Sequence, residues 1–254
     1  MKSISALIIC FNEEKNIEEC IQSVLWCDEI IIIDGFSTDA TVSIAEKYPV
    51  KVFLNQWKGY AEQRKFGLSK AGSNWIFSLD ADERCPKELS DEIKNYFNGK
   101  MTGDEDFSGF EIPRKSFFLG RWIKHCGWYP DYQLRLFKKD SVSVKERLVH
   151  EGYEVSGAKG KMKNYILHYT VNSISEFANK INHYSDLSAK EKANSTEIKI
   201  SNLFIRPFFE FKKKYIFQLG FLDGIQGLMV SFFHMITKIL TYMKIWEMQN
   251  RKSK

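Results

Sequence analysis

Four short apolar runs alternate with segments patterned as helices: Ile4 to Cys10, Glu29 to Asp34, Val50 to Leu54 and Trp75 to Leu79. Each run reads as a buried strand. Between them, Glu13 to Leu25 puts Ile17, Ile21, Val24 and Leu25 on one helical face. Asp39 can cap a second helix from Ala40 to about Tyr48, and Tyr60 to Ala71 reads as a third. Repeated strand–helix–strand units imply an α/β fold with a mainly parallel sheet flanked by helices. Right-handed crossovers bring the strand ends to one side. Phe11 and Asn12, Asp34, and the pair Asp80 and Asp82 are therefore expected along one sheet edge, where open α/β sheets bind ligands.

Residues 99 to 170 follow a different pattern. Gly, Pro and aromatics punctuate short strands at Phe107 to Pro113, Gln133 to Phe137 and Tyr165 to Tyr169. These suggest an antiparallel extension that completes a site. Ser173 to Lys192 is expected as a helix, with Ile174, Phe177, Ile181, Tyr184 and Leu187 at helical spacing. The tail from residue 201 interleaves Phe208, Phe209, Phe211, Tyr215 and Phe217 with Arg206, Lys212, Lys213 and Lys214. An apolar helical stripe follows: Ile225, Leu228, Met229, Phe232, Phe233, Ile236, Ile239, Leu240 and Met243. The expected division is a catalytic domain over residues 1–200 and a basic amphipathic helical extension over 201–254.

Net charge is +5, but residues 201–254 hold nine Lys/Arg against three Asp/Glu, and the rest of the chain is nearly balanced at 28 against 29. A basic, aromatic tail seeks an anionic surface. Its longest charge-free stretch, Gly224 to Thr237, is 14 residues. Spanning a bilayer takes roughly 20. The tail is thus expected to lie on a membrane, the alternative being a helix packed on the protein's own core. Nucleic acid is the weaker fit, because the stripe suits lipid better than bases. Five cysteines without CxxC spacing argue for a reducing compartment and against a disulfide framework. The first residues lead straight into a strand, with no signal-peptide pattern. The expected location is cytoplasmic, peripheral on the inner face of the membrane.

The chemistry centres on Asp80-Ala81-Asp82, two acids delivered by an apolar strand to its C-terminal end. Carboxylates so placed need a cation, and Mg²⁺ or a similar hard ion binds carboxylate together with substrate phosphate. A solvated acidic turn before Pro86 is the plainer alternative. Asp34 suits a base or ribose, or else caps the turn-rich Gly35-Phe36-Ser37-Thr38-Asp39. No G-x-G-x-x-G follows the first strand, and no G-x-x-x-x-G-K-[ST] occurs anywhere, which disfavours dinucleotide and P-loop chemistry. A sugar-phosphate nucleotidyltransferase would need a Gly-rich basic loop where Asn12-Glu13-Glu14 stands.

Three ordered motifs resemble the inverting family-2 glycosyltransferases of GT-A fold: Ile8 to Glu14, Ile33-Asp34-Gly35-Phe36-Ser37-Thr38-Asp39, and Leu79 to Glu83. Further on, Trp128 to Phe137, Val149-His150-Glu151 and Gln63 to Leu68 resemble the bacterial subgroup that adds sugars to the lipopolysaccharide inner core, typified by β-1,4-glucosyltransferases. Gly35 departs from the pattern, which usually has a second acid there. The resemblance implies a nucleotide-sugar donor, such as a UDP-sugar, a lipid-linked saccharide acceptor and a divalent cation, Mg²⁺ or Mn²⁺. Phe11, Asn12, Glu13, Asp34, Asp80 and Ala81 would meet the donor. Arg64 and Arg135 would reach its diphosphate or form ordinary salt bridges. Asp82 would ligate the metal, with Asp80 and His150 as further ligands, His150 alternatively holding a donor phosphate or being structural. An inverting transfer needs a general base. Asp131 is the first choice, unless it only forms a turn after Pro130, and Glu151 is the second. A non-catalytic membrane or carbohydrate adaptor, or transfer to a polyprenyl phosphate, are the alternatives.

Overall fold

The computed structural model describes residues 3–99, 106–145 and 152–251. The chain forms two compact units. One holds residues 3–114, 131–145 and 152–168, the other 115–130 and 169–251. This division does not follow the boundary expected at residue 200, because the helix before that point belongs with the tail.

In the first unit, β1 (Ile4–Cys10), β2 (Glu29–Asp34), β3 (Lys51–Leu54) and β4 (Trp75–Asp80) run parallel in the order β3-β2-β1-β4. Strand β1 is buried along its whole length, as a central strand covered on both faces should be. The intervening helices are α1 (Ile17–Ser23), α2 (Thr41–Ala45) and α3 (Tyr60–Lys70). Helix α1 is shorter than the sequence pattern suggests. Residues before it form a turn, in which the backbone N–H groups of Asn16 and Ile17 donate to the Glu13 carbonyl, each at 2.9 Å. Ile17, Ile21 and Val24 are buried as expected, whereas Leu25, beyond the helix end, is exposed. Helix α2 is also short. Asp39 still serves its start by accepting the Thr41 backbone N–H at 3.0 Å.

After β4 come β5 (Glu83–Arg84) and α4 (Lys87–Phe97). The expected antiparallel extension then joins the same sheet. β8 (Asp131–Lys138) pairs antiparallel with β4, and β6 (Gly109–Phe118) pairs antiparallel with β8. β12 (Ile166–Val171) and β5 complete the path, while β7 (Arg121–Trp122) and β11 (Lys159–Lys161) pair with β6. The sheet is therefore mixed, its first half parallel, because no helical crossover leads into β8. A separate two-stranded piece joins β9 (Val142–Lys145) to β10 (Gly152–Val155).

The second unit contains α5 (Ile174–Lys192), α6 (Ile200–Lys212) and α7 (Gly224–Arg251), with one π-helical turn over 213–217. Ser173 caps α5 by accepting the Glu176 backbone N–H at 3.1 Å. A small core of Phe118, Ile123, Cys126, Val171 and Val230 packs against Phe177 and Phe233. The buried Asp223 ties the chain just before α7 to residues 124–125, accepting backbone N–H groups from Lys124 at 3.3 Å and His125 at 2.8 Å. The nine-residue stripe does not form one buried face. Met229 and Phe233 pack inward, but Ile225, Leu228, Phe232 and Met243 are exposed.

Candidate active site

The register of the parallel strands builds the site. Cys10 lies opposite Asp34 and Ile9 opposite Asp80, so the C-terminal ends of β1, β2 and β4 stand side by side. Phe11, Asn12 and Glu13 follow β1 and are laced to the loop after β2. The backbone N–H of Asn12 donates to Ser37 Oγ at 2.7 Å, and the Asn12 side-chain oxygen accepts the Thr38 N–H at 2.8 Å. The Glu13 N–H donates to Thr41 Oγ1 at 2.8 Å. Two turns that would each be weak alone thereby brace one another.

Asp34 is fully buried, and its carboxylate serves this loop. It accepts the Ser37 backbone N–H at 2.8 Å and the Ser37 hydroxyl at 2.5 Å. The side chain expected to face a nucleoside therefore holds the turn. Large apolar rings exposed at this corner are those of Phe11 and Phe36. Gly35 is closely enclosed. A Cβ there would come within 2.9 Å of the Trp57 ring and 3.2 Å of Phe11. An acid at this position has no room beside Trp57, which accounts for the departure seen in the motif.

Asp80 meets cations, but they are arginines. Arg135 Nη2 lies 2.5 Å from its Oδ2 and Arg64 Nη2 lies 3.5 Å from its Oδ1. Burial raises the Asp80 carboxyl, and the charges of Arg135 and then Arg64 outweigh it, holding the group well below the usual carboxylate range. The expectation that Asp80 shares a metal with Asp82 thus meets a carboxylate already engaged by two guanidinium groups. Arg135 is joined at 2.7 Å to Glu83, whose side chain is fully buried. Glu83 also reaches Arg114 at 3.3 Å and accepts the Asp80 backbone N–H at 3.0 Å. Arg114 in turn donates through Nε to Asp131 at 2.9 Å. One chain of charges therefore runs Arg64–Asp80–Arg135–Glu83–Arg114–Asp131. Arg64 is sandwiched by Tyr60 and Tyr153, whose ring centroids lie 5.6 and 5.4 Å from its guanidinium carbon. Among the described residues, the Nε atoms of Arg64 and Arg135 are buried without a hydrogen-bond partner. Unmet charged donors of this kind are costly to bury, and phosphate oxygens are natural acceptors for them.

Asp82 points elsewhere. Its Oδ2 lies 3.4 Å from His168 Nε2 on β12, and both side chains are only slightly exposed. A carboxylate oxygen and an imidazole nitrogen at this separation fit one divalent cation between them, with substrate oxygens filling its other positions. Among the described residues, no group of three or more His, Cys, Asp or Glu gathers in this way. Ala81 contributes backbone only, its carbonyl accepting Arg84 Nη1 at 2.8 Å. Asp131 opens β8 and retains about a third of its side-chain exposure. Burial raises its carboxyl, but Arg114 and a 2.8 Å hydrogen bond from Gln133 bring the net shift below the ordinary value. It is thus ionised at neutral pH, the state a proton acceptor requires. His150 and Glu151 lie outside the described residues.

Sequence reading passed over Glu83, Arg114, Tyr153 and His168. Glu83 alone carried a signal, as a third acid directly after the Asp pair. The other three lie 31 to 85 residues beyond Glu83, and only tertiary structure brings them in.

The sequence profile described as Glycosyl transferase family 2 matches residues 5–143. The lipopolysaccharide core biosynthesis glycosyltransferase LpsC of Rhizobium meliloti is 28% identical over 265 residues, covering 99% of this chain and 94% of that protein. An uncharacterised glycosyltransferase of Rickettsia conorii is 29% identical, covering 97% and 90%. Among solved structures, S. aureus TarS 1-349 in complex with UDP-GlcNAc aligns with a TM-score of 0.52 at 13% identity, over 99% of this chain and 92% of that one. These likenesses place the fold among GT-A glycosyltransferases.

Proposed function

Since this chain belongs to glycosyl transferase family 2, and so is a glycosyltransferase, we propose that it transfers a hexose with inversion from a UDP-sugar to a lipid-linked saccharide of the lipopolysaccharide-core type. The reaction would run at the cytoplasmic face of the membrane. The observation that carries this reading is the buried charge chain from Arg64 to Asp131, with unmet guanidinium donors on Arg64 and Arg135 and an ionised carboxylate at its far end. A diphosphate and an acceptor hydroxyl are the two things such a chain can hold apart. The similarity to LpsC supports the acceptor class.

Arg64 and Arg135 bind the diphosphate oxygens and draw charge from the leaving group. Arg114 orients Asp131 towards the acceptor. The acceptor oxygen forms its bond to the anomeric carbon on the face opposite the diphosphate. The bond from that carbon to the phosphate oxygen breaks, and its electron pair leaves with the nucleoside diphosphate. The hydroxyl proton passes to the Asp131 carboxylate. Asp82 and His168 are the residues that would hold a divalent cation. When bound, that ion neutralises the diphosphate and stabilises it as a leaving group.

The test is a screen of UDP-, GDP- and ADP-sugars for turnover with Mg²⁺ or Mn²⁺ and in excess EDTA. Turnover of a uridine donor that stops in EDTA is expected. His168→Ala and Asp82→Asn should each raise the metal concentration needed for half-maximal rate. Full turnover in EDTA removes the cation from the reading, and preference for a guanosine donor removes UDP.

A further inference from the structure

Helix α7 leaves many of its large apolar side chains outside. Its most buried positions are Gly227, Val230, Ser231, Thr241 and Ile245. Its large apolar residues Ile225, Leu228, Phe232, Met243 and Trp246 are 40 to 62% exposed. The small residues are inside because they allow close approach. A Cβ on Gly227 would come within 1.9 Å of the Gly220 carbonyl oxygen. The buried hydroxyls are satisfied within the helix, Ser231 donating to the Gly227 carbonyl at 2.7 Å and Thr241 to that of Thr237 at 2.8 Å. Small and hydroxyl residues in the contact, with bulky apolar ones outside, is the packing of helices that face lipid.

Helix α6 follows the same rule. Asn202 and Pro207 are buried, while Phe204, Ile205, Phe208 and Phe209 are 52 to 69% exposed. The π-helical turn after it adds Phe217, 75% exposed. Helices α6 and α7 flank an open groove lined by Leu203, Phe204, Pro207, Phe208, Met235 and Ile239. A cation stands beside it. Lys212 Nζ sits 4.8 Å over the Phe208 ring, and the next residue, Lys213, is exposed. An apolar groove with an ammonium group at its rim, on a segment rich in Lys and Arg, matches the acyl chain and phosphate of a lipid. Crossing the bilayer is disfavoured, although α7 is long and apolar enough for it. Lys244 is anchored at 2.6 Å to Asp186 of the polar helix α5, which covers the other side of α7.

We infer that the exposed faces of α6 and α7 dock into an anionic phospholipid leaflet, with one acyl chain seated in the groove between them. This goes beyond the proposed reaction and can fail separately from it, since donor turnover does not need the tail to meet lipid. Apolar burial and electrostatic attraction act together in such docking.

The experiment uses the full chain and vesicles of phosphatidylcholine, with or without phosphatidylglycerol. Sedimentation with the anionic vesicles at low salt is expected, with loss at high salt. Exchanging Lys212 and Lys213 together for Gln should weaken binding on the order of 30-fold at low salt. Phe208→Trp should show emission quenched by brominated acyl chains beyond that of the parent protein. Circular dichroism and donor hydrolysis unchanged from the parent would show that these variants remain folded. The inference is overturned by absence of binding to anionic vesicles at low salt. Equal binding of the Gln variant overturns it too, as does a Phe208→Trp signal that lipid does not quench. Phe208 masked in a dimer of this chain would also overturn it.

Discussion

Exchanging Glu83 for Gln tests whether the buried charge chain organises the site. The Glu83 side chain is fully buried, with one oxygen 2.7 Å from Arg135 and 3.3 Å from Arg114 and the other 3.0 Å from the Asp80 backbone nitrogen. Gln has the same shape but one acceptor and one donor end. Whichever way it turns, an NH₂ group faces either the two guanidinium groups or the Asp80 N–H. Removing one partner of a buried ion pair costs about 3–5 kcal/mol. Arg135 keeps Asp80 and Arg114 keeps Asp131, so the lower end applies, about 3 kcal/mol. For a unit of this size each kcal/mol moves the melting temperature by roughly 2–4 °C, giving a fall of about 6–12 °C. Thermal unfolding followed by circular dichroism at pH 7.5 reads the shift, and calorimetry with the uridine donor reads the weaker binding expected as Arg135 loses its brace. A fall below about 3 °C, corresponding to roughly 1 kcal/mol, with unchanged donor affinity would refute the idea that Glu83 holds these arginines in place.

Two further predictions address the base and the second unit. Asp131→Asn should abolish transfer while leaving nucleotide affinity within a few-fold of the parent, because Asp131 acts on the acceptor; near-normal turnover, with loss in Glu151→Gln, moves the base to Glu151. His234 is pushed down from 6.5 to about 4 by burial and then by the charges of Lys214 and Lys238, and it accepts the Trp128 indole N–H at 3.2 Å. Its folded value lies below its unfolded one, so the unfolded chain binds a proton that the fold refuses. Stability is complete above about pH 6.5 and falls as pH drops towards about 4, by up to about 3 kcal/mol. His234→Gln keeps an acceptor for Trp128 and should flatten urea-unfolding stability across that window; an unchanged pH slope would show that another group is responsible.

Local pattern alone determined the parallel half of the sheet and the edge at which the candidate site stands. Strand runs such as Ile4 to Cys10 and Glu29 to Asp34 coincide with β1 and β2, because continuous apolar runs mark strands covered on both sides. Crossover handedness then put Asp34, Asp80 and Asp82 at one edge without any knowledge of contacts. Helix ends were less legible, since the turn closed by Glu13 and Asn16 competes with the first turn of α1. Which carboxylates would be free was not legible at all. Asp80 and Asp82 are two residues apart on one strand end, yet one faces Arg135 and Arg64 and the other His168. That difference is made by β8, α3 and β12, which reach the strand end only through tertiary pairing. The outward face of α7 was decided in the same way. Its stripe of large apolar residues predicts a face that seeks an apolar surface, a membrane or the protein's own core; small residues pack closer, and only the surface offered by its neighbours determines which set is covered.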